Sequence, residues 1–322
     1  MNIEVFTDEF VIKNKYMGIG TLFVPLKDKN ILADTLSNFR CLNETNNVWN
    51  WNKNLCNNSF CKEKYHDQNN CEIHFLDIVK NTPNNKLQIS KNWLQYIIDT
   101  NLNGNNKIFF NILILELQKL DKSFFGSKEN IESSIYAKFY KSNLIYGCKR
   151  FFIKNNIKEV SIKNMYHDQS LAKETHEYLD TNVPKLNYEK KIISKCDKVT
   201  FIDSNHKNND KYLLESQFIQ FIDLILGSTR QILFENSKTK NKIEVSNILY
   251  PLVKRLIESP NNKNSSFNYF DSQHISFFPK NKISKHKDLL SNQLILDKGQ
   301  FHYTFKVPKK NEIAKNNLDQ WF

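Results

Sequence analysis

Ile108-Phe109-Phe110-Asn111-Ile112-Leu113-Ile114-Leu115, closed by Glu116, is the most apolar stretch of the chain. It does not alternate, so as a strand it needs cover on both faces, as central strands of α/β sheets have. The same run would also suit a buried helix. Its surroundings point to the strand. Upstream, 3–7 and 16–24 read as two β-prone strands joined by a turn, with Pro25 stopping the second. Downstream, 159–163 and 198–203 read as further strands. Helical spacing of apolar residues separates them over 26–42, 87–101, 131–152, 170–179, 210–227 and 245–258. Strands alternating with helices predict an α/β sheet with helices on its faces.

Composition sets the outer bounds. In 322 residues, 40% hydrophobic and 13% aromatic content is enough for a buried core and excludes disorder. Seven Gly, 7 Pro and 6 Cys exclude collagen-like and disulfide-dense classes. No run of 18 apolar residues occurs, so no membrane-spanning helix is expected, and Met1-Asn2-Ile3-Glu4 lacks the basic-then-apolar plan of a signal peptide. These readings place the chain in the reducing cytoplasm. A net charge of +12 favours a polyanionic partner, nucleic acid first. The 45 Asn, with abundant Lys, Ile and Phe, also look like AT-rich coding, which raises Lys without selection for nucleic acid. The expected organisation is an α/β domain over 1–230, interrupted by a polar, Asn-rich insertion at 43–71. A C-terminal extension over 231–322 contains one helix and a hairpin pairing 294–296 with 301–305.

Carboxylates stand where such a core would ordinarily place apolar side chains. Asp8 follows the first strand at its C-terminal end, and Glu116 closes the apolar run at the same kind of end. Ligands of open α/β sheets bind at those ends. Asp223 lies in Phe218-Ile219-Gln220-Phe221-Ile222-Asp223-Leu224-Ile225-Leu226, a segment apolar on most of its helical circumference. Ser216, Gln220, Asp223 and Gly227, spaced 4, 3 and 4, fall on one narrow face. That stripe either faces solvent or lines a polar seam inside the protein. Asp168 reads as a strand-end carboxylate or as a helix N-cap, and Glu72 is ambiguous alone. Several carboxylates at strand ends plus one on a helix are the donor set for Mg²⁺ or Mn²⁺. Two such ions would support phosphodiester cleavage by the two-metal route.

These motifs resemble the bacterial family known as domain of unknown function 3800, which has a ribonuclease H-like fold. Its first strand typically ends in Asp-Glu-Ser-Gly, and Thr7-Asp8-Glu9-Phe10 stands in that place, with Phe10 for the Ser and Val11 for the Gly. Its Glu-x-His segment looks like Glu72-Ile73-His74-Phe75. Its late signature, a Ser-containing strand end followed by a Leu-Gln-x-x-Asp helix, resembles Asp203-Ser204 and Ser216 to Asp223. Ile275-Ser276-Phe277-Phe278-Pro279-Lys280 completes a likeness that runs from about residue 3 to 280. The resemblance implies that Asp8, Glu116 and Asp223 ligate catalytic metal, with Asp168, Glu72 and Glu9 in support.

Within the insertion, Cys56, Cys61, His66 and Cys71 recur five apart. Three thiolates and one imidazole suit tetrahedral Zn²⁺, which would let a polar loop fold without a core of its own. The spacing resembles a zinc knuckle with a widened first pair and no Gly. Chance clustering is the competing explanation. Trp49 and Trp51 beside it read as packing residues rather than base-stacking platforms.

The sequence therefore leads to a metal-dependent nuclease of ribonuclease H-like α/β fold acting on DNA or RNA. A place in phage or mobile-element defence, with a protein partner in a defence complex, is compatible with it. A non-catalytic nucleic-acid-binding or scaffolding subunit of the same fold, and a zinc-stabilised protein-interaction module, are the alternatives.

Overall fold

The structure is a computed structural model that describes residues 1–41 except 14, then 49–50, 55–56, 69–104, 107–125, 131–169, 177–234, 237–263, 268–279, 295–297 and 300–302. Strands β1 (Asn2–Ile12) and β2 (Tyr16–Pro25) form a long antiparallel hairpin, and helix α1 (Lys29–Asn38) follows directly. The short pair β3 (Trp49–Asn50) and β4 (Leu55–Cys56) lies in the insertion. Then come α2 (Asn84–Asn103), β5 (Phe109–Glu116), α3 (Ile131–Phe151), β6 (Val160–Asp168) and α4 (Glu177–Thr181). Three short strands follow, β7 (Asn187–Tyr188), β8 (Ile192–Ser194) and β9 (Val199–Ile202). Helices α5 (Leu213–Phe234) and α6 (Lys240–Glu258) precede β10 (Gln273–Phe278). The expected C-terminal hairpin is present as β11 (Ile295–Asp297) and β12 (Gln300–His302).

One curled mixed sheet orders its strands β10-β5-β2-β1-β6-β8-β7, and β9 also pairs with β6. β2 runs antiparallel to both its neighbours, whereas β10–β5, β1–β6, β6–β8 and β6–β9 are parallel. The apolar run 109–116 is β5, with Phe110 to Glu116 all buried, as a strand with cover on both faces must be.

Each sheet face has its own core. Phe6, Phe10, Leu22, Ile112 and Ile114 pack under α1, α2, α5 and α6. Val5, Ile19, Leu113 and Leu115 pack against α3. Even-numbered side chains of β1 therefore face α5, and odd-numbered ones face α3. Helix α2 ends on Gly104 in the left-handed region, φ +70°, as Asn103-Gly104 signalled.

One expectation needs correction: the first strand does not stop at 7 with Asp8 after it but runs on through Asp8 to Ile12, paired with β2 from Ile3 onward. Residues 72–74 form no regular element and lead, through an extended His74, into a 3₁₀ turn at Phe75–Asp77. The C-terminal extension packs on the domain: α6 and β10 contribute Leu249, Ile275 and Phe277 to the same core as β1. Among the described residues no helix is long and apolar enough to cross a membrane.

Candidate active site

The site is built where β1 parts from β6, with Asp8 inside β1 just past its last β6 pairing and Asp168 at the end of β6, on the face covered by α5. Thr7 pairs with His167 across these parallel strands, so Asp8 and Asp168 occupy the next rung together. Thr7 and His167 turn toward α3, where they meet the hydroxyls of Tyr140 (3.4 Å) and Tyr136 respectively. Alternation then aims Asp8 and Asp168 at α5. The carboxylate of Asp223 comes down from that helix, near enough for its charge to act on Asp168.

The polar stripe of α5 is a seam, not a solvent face. Ser216 Oγ donates to the Asp203 carbonyl at 2.8 Å. Gln220 Nε2 donates to the Ser204 carbonyl at 2.6 Å and to His206 Nδ1 at 3.1 Å. Its Oε1 accepts from the Ile73 amide at 2.9 Å and from the Arg40 guanidinium at 2.8 Å. Asp223 Oδ2 accepts from the Phe75 amide at 2.6 Å and pairs with His74 Nδ1 at 3.2 Å. Gly227 completes the stripe: a Cβ there would lie 2.3 Å from Phe75 Cγ. The seam thus holds segment 71–75 against α5 with its backbone donors satisfied. Gly227→Ala is expected to lower unfolding stability by about 1–3 kcal/mol through this overpacking. Chemical denaturation of the two proteins measures it, and equal midpoints would refute the close approach.

The same segment delivers Glu72. Ser204 Oγ donates to Glu72 Oε1 at 2.7 Å and also hydrogen-bonds with Asp168. One hydroxyl proton cannot serve two carboxylates at once, so this pair offers acceptor capacity to a proton or a cation. Burial raises the Asp168 carboxyl above its ordinary range. The charge of Asp223 adds to this, against the opposing effects of His167, the Gln169 amide and Ser204. The hydrogen bond to Asp223 lifts His74 to about 9 against the cost of its burial, so this imidazole is protonated at neutral pH. His206 goes the other way, to about 3, through burial and the nearby Arg40 and Lys207 charges. It is neutral, and its Nε2 donates to Asn70 Oδ1 at 2.6 Å.

Asp168, Asp223 and Glu72 are therefore gathered along one wall, with His74 and Ser204 between them, and Asp8 lies on the adjoining strand, close enough to act with Asp168 on Tyr136. Glu116 and Glu9 are elsewhere. Glu116 pairs with Tyr16 in the β2–β5 register, whereas Asp8 pairs with Gly20. Four residues of strand put Glu116 about 13 Å from the level of Asp8. There it forms a buried ion pair with Lys119 at 2.5 Å. Glu9 points to the α3 face and lies 3.3 Å from His167 Nε2. The Cys61 and His66 positions and the side chain of Cys56 lie outside the described residues. Cys71, at the base of the insertion, is a free cysteine, and the side chains of the other three members of the expected zinc set are not among those described.

Two residues of this architecture were not singled out from sequence. Arg40 is fully buried and donates to the carbonyls of Asn69 (3.1 Å) and Cys71 (2.6 Å) and to Gln217 and Gln220. It lies at the end of an expected amphipathic helix, where a buried and an exposed arginine look alike. His74 stood in a quoted motif without a role, and its pairing with Asp223 depends on the seam.

The donor chemistry of the cluster, carboxylate oxygens, fits a hard divalent cation. Among the described residues no three His, Cys, Asp or Glu side chains form a group that could hold a metal ion. Compared with known proteins, the chain matches no family model, no curated protein and no solved structure.

Proposed function

We propose that the protein is a divalent-metal-dependent nuclease of ribonuclease H-like fold, with Asp8, Asp168 and Asp223 as the ion-holding carboxylates and Glu72 beside them. The observation that carries this reading is the sharing of one Ser204 hydroxyl by Glu72 and Asp168 while Asp223 acts on the same carboxyl. Carboxylates gathered and partly desolvated in this way are costly unless a cation or proton joins them. The strand order β5-β2-β1-β6-β9, with only β2 reversed, suits the fold implied by the resemblance.

The reaction is hydrolysis of a phosphodiester: a water oxygen bonds to phosphorus, one P–O ester bond breaks, and the displaced oxygen takes up a proton. Bound Mg²⁺ or Mn²⁺ would supply Lewis acidity and a water of lowered pKa. The chain's own part is to hold the carboxylates of β1, β6, α5 and the 71–75 segment and to keep a protonated imidazole on Asp223. The seam fixes the Glu72 segment through Gln220.

The test is incubation of the full chain with labelled single- and double-stranded DNA, RNA and an RNA–DNA hybrid in Mg²⁺ or Mn²⁺. Cleavage of at least one substrate, stopped by EDTA and restored by added metal, is expected. Absence of cleavage on all of them, or cleavage that persists in EDTA, refutes the reading.

A further inference from the structure

Beside the carboxylate wall stand two cations that the carboxylate chemistry does not use. Arg230 lies seven residues after Asp223 on α5, two turns along the same face and beyond Gly227. Its guanidinium rests over the Phe10 ring, 5.3 Å from the centroid. Its buried Nε meets no hydrogen-bond acceptor among the described residues. Lys242, from α6, reaches the same place: its Nζ donates to the Leu76 carbonyl at 3.1 Å and lies 5.4 Å from the centre of the Phe75 ring.

Phe10 is the position where the resembled family carries Ser. The exchange is built into the fold. The Phe10 ring lies over Gly18, its partner across the β1–β2 ladder, where a Cβ would come within 2.3 Å of Phe10 Cε1. Phe234 closes its edge at 6.1 Å. Phe10 is also the next residue after Asp8 on the same face of β1. The aromatic platform therefore carries a guanidinium to the mouth of the site.

We propose that Arg230 and Lys242 form a phosphate-binding arm that takes the backbone of a nucleic acid strand entering the site across Phe10. A guanidinium held on an aromatic face, with a buried donor awaiting an acceptor, matches the forked geometry of phosphate oxygens. Burial lowers both cations, and the charge of Arg230 further lowers Lys242, so an anion seated between them relieves a repulsion already present. Asp223 acts against this lowering at both cations, and Asp77 at Lys242. The inference rests on the nuclease reading for the identity of the anion, not for its existence.

The experiment is binding of a fluorescein-labelled single-stranded oligonucleotide to the full chain in EDTA, across a series of salt concentrations. R230A is expected to weaken binding about tenfold, one decade being about 1.4 kcal/mol. The double variant R230A/K242A should flatten the dependence of log K on log salt by about 1.4, two phosphate contacts at about 0.7 each. R230Q keeps the stem on Phe10 and should lose as much as R230A, which answers any folding defect in the alanine variant. Unchanged affinity and slope in R230Q and in the double variant overturn the proposal. Arg230-dependent binding by a chain that cleaves nothing would sustain the arm and refute the nuclease reading. Asp223-dependent cleavage that survives R230A/K242A with unaltered binding would do the reverse.

Discussion

Asp8→Asn and Asp223→Asn are each expected to lower metal-dependent cleavage by about three orders of magnitude, whereas Glu116→Gln leaves it within about threefold. Losing one ion-holding carboxylate removes several kcal/mol of transition-state stabilisation, and each 1.4 kcal/mol is about a decade in rate. Asparagine preserves the shape of the wall. At 223 its carbonyl oxygen can still accept from the Phe75 amide, so the lost quantity is charge rather than packing. Glu116 is the internal control, because it is a buried strand carboxylate as Asp8 is, yet sits beside Lys119 and Tyr16, away from the wall. Glu116→Gln leaves Lys119 without its carboxylate and costs stability, so rates are compared at 25 °C on protein shown by circular dichroism to be folded. Activity lost in Glu116→Gln and kept in Asp8→Asn would move the site to the other end of that register.

Arg40→Met is expected to lower the Tm by about 10 °C. The substitution keeps the apolar stem but removes the Arg40 donor from the carbonyls of Asn69 and Cys71 and from the amide oxygen of Gln217, and leaves Gln220 Oε1 to the Ile73 amide. It also removes the guanidinium lying 4.9 Å from the centre of the Trp93 ring. Unsatisfied buried acceptors at about 1 kcal/mol or more each give a total of about 3–5 kcal/mol, and each kcal/mol moves Tm by about 2–4 °C in a chain of this size. Burial drags the Arg40 pKa down to about 10, which still leaves it charged at neutral pH. Arg40→Lys should recover only part of the loss, since one ammonium cannot reproduce the fork. Thermal unfolding followed by circular dichroism reads all three proteins. A Tm for Arg40→Met within 2 °C of wild type would show that the network is not what holds segment 69–75.

Much of the scaffold is readable from residue patterns, because β1, β2, β5, α2 and α5 carry strong periodicity or clear stops at Pro25 and Gly104. The stripe of α5 is readable too, since 3.6-residue geometry alone gathers Ser216, Gln220, Asp223 and Gly227. What faces that stripe is not readable. Segment 71–75 has neither helix nor strand periodicity, and its extended path exists only because Gln220 and Asp223 accept its amides. For the same reason Glu72 looks weaker in sequence than Glu116. A carboxylate at a strand end announces the edge of the sheet, but its level is set by ladder register. The β1–β2 hairpin and the β2–β5 pairing place Tyr16 opposite Glu116, and that offset has no local signature. Arg40 and Arg230 are invisible for another reason: nothing in one sequence separates a buried guanidinium from a solvated one.

Arg40 has a second hold on the chain. Its guanidinium donates to the Asn69 carbonyl, and Asn69 Nδ2 donates back to the Arg40 carbonyl at 2.6 Å. The two points from which the insertion departs and to which it returns are thereby fastened side by side. Closure entropy grows only with the logarithm of the enclosed length, about 0.6 kcal/mol for each doubling. Between such anchors, residues can be added, deleted or exchanged over generations at little thermodynamic cost, while Glu72 and His74 return to the same place. The fold thus has a socket in which a new recognition element could evolve without the carboxylate wall having to be rebuilt.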